Sequence, residues 1–276
     1  MPLTRHSIEL LNLEKNKTKQ MFKKRIVVKV GTNVMTNRNN RIVGPILKNL
    51  VRQIAYLYER DIITILVSSG SAIAGKEVLG KCHEQNPSVR RQIYSSVGQP
   101  RMMRHYYTMF HDFGMRCAQV LATKRDFAPG KYRQNMINCY EGLLKEGIIP
   151  IANEDDAVSL SLSMFTDNDE LASLVANLVH ADMMIMLTDI DGLYTGHPED
   201  KSSKLLHEVK VHENVEKYVQ ESEKGEGEGR GGMESKLRIA KQTACKNIPT
   251  YIANGKEENI ILDILDGKQV GTKFSV

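Results

Sequence analysis

No apolar run in this chain approaches the roughly 20 residues needed to span a bilayer. The opening segment, MPLTRHSIELLNLEKNKTKQMFKK, lacks the apolar stretch and small-residue cleavage site of a secretory signal. There is no CxxC pair. Cys82, Cys117, Cys139 and Cys245 are widely scattered, which excludes a zinc site or disulfide framework and suits reduced thiols in a cytoplasmic protein. Aromatic residues are only 6% of the chain, and neither an aromatic-rich basic groove nor zinc-finger spacing supports nucleic-acid binding. No internal repeat is visible. No nucleophile–histidine pair stands out among the polar segments, so acid–base chemistry built on histidine is not favoured.

What is present suits a substantial core. Apolar residues make up 41% of 276, enough to exclude global disorder. The net charge of +5 is unevenly placed: residues 1–24 hold six Lys/Arg against two Glu, and the rest of the chain is close to neutral. That basic N-terminal extension reads as a solvated arm, ahead of a domain over 25–276.

Strand and helix alternate along the domain. Arg25–Val30, Ile62–Val67, Cys117–Leu121, Ile148–Ile151, Met183–Leu187 and Thr250–Ile252 read as strands, with Val270–Phe274 as a closing edge strand. Helices are expected over Ile46–Tyr58, Val89–Phe113 (interrupted near Gly98 and Pro100), Asn135–Lys145, from about Met233 to Cys245 and over Ile260–Leu265. Continuous apolar strands between helices imply an α/β fold whose mostly parallel sheet is covered on both faces. The one linker-like stretch is 221–232.

Thr166–Pro198 is the most informative segment. It joins an acidic helix start, an amphipathic helix, a buried strand and Thr188-Asp189 at that strand's carboxyl end, where ligands gather in open α/β sheets. Elsewhere, GSAIAGK at 70–76 has P-loop spacing, but Glu77 stands where Ser or Thr must hold Mg²⁺, so a P-loop is rejected. The Ser68-Ser69-Gly70 turn is either an anion site at a helix N-terminus or a plain strand-to-helix turn. Lys29, inside an apolar strand before Gly31, either meets phosphate or snorkels from an edge strand. The five glycines of 225–236, ahead of a helix bearing Lys236, allow close approach to phosphate, with Arg230 adding charge; a flexible solvated loop explains the same composition. Lysines gathered around a phosphoryl group are what its transfer requires. The acidic clusters after the fourth strand (Asn153–Asp156) and at 167–169 either cap helices or orient lysines and hold a substrate ammonium.

Taken in order, VVKVGTNVMT (27–36), VSSGSAIAG (67–75), SVGQ (96–99), GIIPIANEDDAV (147–158), DNDELASLVANLVHAD (167–182), LTDIDGLYTGHP (187–198) and GRGGMESK (229–236) resemble the glutamate 5-kinases of the amino-acid-kinase superfamily, over about Arg25 to Phe274. The resemblance implies a three-layer αβα sandwich around a mostly parallel sheet of about eight strands. It places Lys29 and Lys236 at the phosphates, with Asp169 organising them. Ser69, Asn153, Asp156 and Asn168 match positions that hold glutamate; Thr188, Asp189, Arg230, Gly231, Gly232 and Met233 match the nucleotide site. The implied chemistry is ATP- and Mg²⁺-dependent phosphorylation of the glutamate γ-carboxylate to L-glutamyl 5-phosphate, the first step of proline biosynthesis. A homo-oligomer and functional coupling to glutamyl-phosphate reductase are also implied, and no dedicated metal ligand is assigned.

Three departures stand out. Asp155 replaces the second Asn of the usual NEND, adding charge near the substrate. Thr166 replaces the usual Gly before DND, which puts that turn's geometry in question. The sequence ends near the family's VGTxF, so the C-terminal PUA domain of many bacterial relatives is not expected. A kinase for another small acid, or a binding regulator that has lost catalysis, are the competing readings; intact Lys29, Asp169 and Lys236 weigh against the regulator.

Overall fold

Uninterrupted apolar runs build the centre of the sheet. β1 (Arg25–Val30), β2 (Ile63–Ser68), β4 (Ile148–Glu154) and β5 (Met183–Thr188) are buried nearly end to end, as strands covered on both faces must be. The computed structural model describes residues 24–37, 39, 41–159, 164–218 and 232–276. With β3 (Arg116–Ala122), β6 (Glu208–Lys210), β7 (Thr250–Asn254) and β8 (Thr272–Ser275), these strands form one eight-stranded sheet in the order β3-β4-β2-β1-β5-β7-β8-β6. Neighbours run parallel except β7 and β8.

Alternate side chains of β1 feed two cores. Val27, with Ile65 and Val67 of β2, packs under α5 (Lys131–Lys145), α6 (Asn168–Leu178) and α7 (Met233–Ala244). Ile26, Val28 and Val30 pack under α2 (Gly44–Glu59), α4 (Pro87–Asp112) and α8 (Ile260–Leu265). The expected αβα sandwich is therefore present. The short α1 (Thr32–Met35) and α3 (Ser71–Leu79) follow β1 and β2 directly. No helix among the described residues is long and apolar enough to cross a membrane.

Several sequence expectations need correction. α4 is continuous over 26 residues with Pro100 inside it; the expected interruption is absent because Gly98 serves packing instead. A Cβ on Gly98 would lie 1.7 Å from the Ser71 carbonyl oxygen, and one on Gly75 would lie 1.8 Å from that of Tyr94. The two glycines let α3 and α4 cross backbone to backbone. Gly98→Ala is expected to destabilise the fold by about 1–3 kcal/mol, because neither backbone can yield freely; urea denaturation reads this as a lowered midpoint. β4 runs on through Asn153 and Glu154, which the sequence reading placed after the strand. β8 is not an edge strand, since β6, which carried no usable sequence signal in three residues, pairs outside it. Residues 1–23 and most of the linker-like stretch, 221–231, lie outside the described residues.

Candidate active site

Strand order places the site. From β1 the chain moves to β2 and onward to one side, then returns through β5 on the other side of β1. The crevice at the carboxyl ends of β1 and β5 is therefore a topological switch point, where ligands bind in open α/β sheets. A cleft of about 560 Å³ opens there, lined by Lys29, Ser69, Asn153, Asp156, Asn168 and Lys236 among others. Thr188, Asp189, Gly232 and Met233 also face it. Arg230 and Gly231, expected at the nucleotide, lie outside the described residues.

Asp169 lies beneath the cleft floor, fully buried in the first turn of α6. Its carboxylate bridges two ammonium groups: Lys29 Nζ at 2.6 Å and Lys236 Nζ at 3.3 Å. Burial alone would push this carboxyl up, but the charges of Lys29 and then Lys236 outweigh it and hold it below the usual carboxylate range. Both lysines are themselves buried. Lys29 stands on a central strand, flanked by β2 and β5, so it does not snorkel from an edge. Three charges share one low-dielectric spot with a net charge of +1, presented to the cleft. That favours an anion.

Asp167 caps α6, accepting from the Asp169 and Glu170 amides at 3.0 Å each. Its other oxygen accepts a 2.6 Å hydrogen bond from Ser235 on α7, the neighbour of Lys236. The starts of the two helices that carry Asp169 and Lys236 are thus tied together. α3 and α7 also begin at the cleft, through Gly70 in left-handed conformation (φ 96°) and Gly232. Helix N-termini present free amides to an anion. Gly31 lets its backbone pass β5: a Cβ there would come within 3.1 Å of the Leu187 carbonyl oxygen and 3.7 Å of Lys29 Nζ.

A polar chain runs away from the lysines. Asn168 Nδ2 donates to Ser69 Oγ and Asn153 Oδ1 at 2.9 Å, and Asn153 Nδ2 donates to Gln99 Oε1 at 2.8 Å and more weakly to Ser71 Oγ at 3.4 Å. Ser71 Oγ reaches Asp156 Oδ2 at 3.5 Å, and Arg91 Nε pairs with Asp156 Oδ1 at 2.9 Å. At the β5 side, Asp189 accepts from Thr188 Oγ1 and Asn33 Nδ2 at 3.2 Å each.

The two departures near the site are absorbed. Asp155 does not line the cleft, and its Oδ1 accepts from the Ala157 amide within the turn. Thr166 is not among the residues with positive φ, so its turn requires no glycine, and its amide donates to Glu170 Oε2 at 2.8 Å. Glu77, the residue that excludes a P-loop, accepts from the Ile42 amide and pairs with Arg101 at 2.8 Å.

The amino acid kinase family model matches residues 24–254. A glutamate 5-kinase of Bacteroides thetaiotaomicron is 39% identical over 241 residues, covering 87% of this chain and 66% of that one. One from Alkaliphilus metalliredigens is 37% identical over 253 residues, covering 91% of this chain and 95% of its own. The chain belongs to the amino acid kinase family, among its glutamate 5-kinases. In fold it also matches a carbamate kinase from Giardia lamblia bound to AMP-PNP, with a TM-score of 0.66 at 16% identity over 92% of this chain and 98% of that one. The chain spans about two thirds of the length of the Bacteroides relative and nearly all of the Alkaliphilus one.

Sequence reasoning missed Asn33, Ser71, Gln99, Arg90 and Arg91, all of which line the cleft or bond to residues that do. A basic pair at the start of a long helix, Arg90-Arg91, was the available signal; it reads as a solvated face until the fold turns it inward.

Proposed function

We propose that this chain transfers the γ-phosphoryl group of ATP to the γ-carboxylate of L-glutamate, giving L-glutamyl 5-phosphate and ADP, the first step of proline biosynthesis. The observation that carries the reading is the buried Lys29–Asp169–Lys236 arrangement on the floor of the cleft. A γ-carboxylate with a pKa of about 4.3 is ionised at neutral pH, so it needs no general base. Its oxygen forms the new bond to the γ-phosphorus while the bond from phosphorus to the ADP oxygen breaks. What opposes the step is repulsion between the anion and the triphosphate. Lys29 and Lys236 offset it, and Asp169 keeps both ammonium groups in place before the substrates arrive.

Glutamate lies along the Ser69–Asn168–Asn153–Asp156 side and ATP toward Thr188, Asp189 and the start of α7. Among the described residues no group of three or more His, Cys, Asp or Glu is placed to hold a metal ion. Magnesium would be carried in on the phosphates, where it would further neutralise their charge. The labile acyl phosphate calls for a reductase that consumes it, and functional coupling to such an enzyme, together with assembly as a homo-oligomer, belongs to the same proposal.

ADP release measured with L-glutamate, L-aspartate and N-acetylglutamate tests the acceptor. Release dependent on L-glutamate is expected, and equal release with any of the three contradicts the reading. Asp156→Ala is expected to raise the glutamate KM by about tenfold or more, through loss of a charged partner for the ammonium, with the ATP KM little changed. A change confined to the ATP KM would place Asp156 elsewhere.

A further inference from the structure

Arg91 projects from the first turns of α4 into the same cleft, beside the acid assigned to the substrate ammonium. An α-amino acid carries an ammonium and a carboxylate on one carbon, so a site that holds it in charge balance needs an acid and a base side by side. Asp156 is buried and Arg91 Nε lies 2.9 Å from its Oδ1, while the arginine side chain remains 37% exposed. Among the described residues its two terminal amino groups make no other hydrogen bond. A guanidinium presents its donors in a planar fork, and the edge left over is the one that grips a carboxylate bidentately.

The neighbouring cations are engaged otherwise. Arg90 Nη1 donates to the Glu84 carbonyl at 3.3 Å, and Lys76 Nζ lies 5.7 Å from the centre of the Tyr94 ring. Gln92 donates to the Ala157 carbonyl at 2.9 Å, clamping this part of α4 to the turn that carries Asp156. The polar chain from Asn168 through Asn153 and Ser71 to Asp156 leads from the lysines to Arg91. An extended dicarboxylate therefore meets cations at both ends.

We propose that Arg91 binds the α-carboxylate of the substrate and so determines selectivity for an α-amino acid over an amine that lacks that group. The proposal rests on the glutamate reading above. In the absence of substrate Arg91 pairs with Asp156; on binding, the ammonium takes Asp156 and the α-carboxylate takes the free edge of the guanidinium.

The test compares L-glutamate with 4-aminobutyrate, which keeps the reacting carboxylate and the ammonium but lacks the α-carboxylate. kcat/KM is measured for both with the wild-type chain, Arg91→Gln and Arg91→Lys; where 4-aminobutyrate turns over too slowly, its competitive inhibition constant replaces kcat/KM. Arg91→Gln is expected to lose about 10- to 150-fold with glutamate, mostly in KM, and to change less than about threefold with 4-aminobutyrate. Arg91→Lys is expected to recover part of the loss. Equal losses on both substrates would mean that Arg91 only positions Asp156 and would overturn the proposal, as would an unchanged glutamate KM. An unchanged ATP KM and melting temperature show that the variant is folded. No product from glutamate with the wild-type chain overturns the glutamate reading itself and this proposal with it.

Discussion

Lys29→Ala and Lys236→Ala are each expected to lower kcat by on the order of 10²–10³-fold, with smaller changes in either KM. Each ammonium is buried and fixed by Asp169 before substrate arrives, so its charge is delivered without reorganisation when phosphorus changes partners. Preorganised donors of this kind are worth that much where they have been removed singly. Each variant leaves Asp169 one lysine, so the carboxylate stays paired and the fold should survive; a melting curve close to wild type separates lost chemistry from lost structure. Near-normal turnover in either variant would remove that lysine from the mechanism.

Asp169→Asn is expected to have the larger structural effect. It leaves two buried ammonium groups without the counter-charge they share, and a buried charge left uncompensated costs about 3–5 kcal/mol. Turnover should fall with it, because the lysines then repel each other out of position. The pH dependence follows from the depressed pKa. Asp169 is ionised more readily in the folded protein than in the unfolded chain, so its stabilisation is complete above the unfolded value of about 3.9 and is lost as pH falls through the lower folded value. Asparagine mimics the protonated acid. The stability gap between wild type and Asp169→Asn should therefore be constant above about pH 5 and shrink below about pH 4. Urea melts across that range measure it, and a gap that does not shrink in acid would deny the ionised carboxylate its stabilising role.

Much of this was legible in sequence, for physical reasons specific to each element. β1, β5 and α8 were placed within a residue because a parallel strand buried on both faces, or a short apolar helix against it, leaves an unbroken hydrophobic signature. Lys29 stood out because a charged residue inside such a strand needs a partner, whereas Asp169 read equally as a helix cap until the motif resemblance tied it to the lysines. The sequence motifs then supplied Lys236, far along the chain, as the third member. The failures are equally local. Gly98 and Pro100 read as breaks in α4 because propensity describes an isolated helix, whereas the close crossing with α3 demands a glycine and holds the helix through the proline. β6 carries only three residues, and its pairing partner β8 comes more than sixty positions later. Arg91 was passed over because its role depends on which way α4 faces, something its neighbours in sequence do not state.

The central claim is that this cleft makes an acyl phosphate on glutamate. A hydroxylamine trap tests it most directly: purified protein with Mg-ATP and L-glutamate, and with L-aspartate or N-acetylglutamate in parallel. The account predicts γ-glutamyl hydroxamate from L-glutamate alone, in an amount matching the ADP released. ADP released without hydroxamate, or hydroxamate from another acid in place of glutamate, would contradict it.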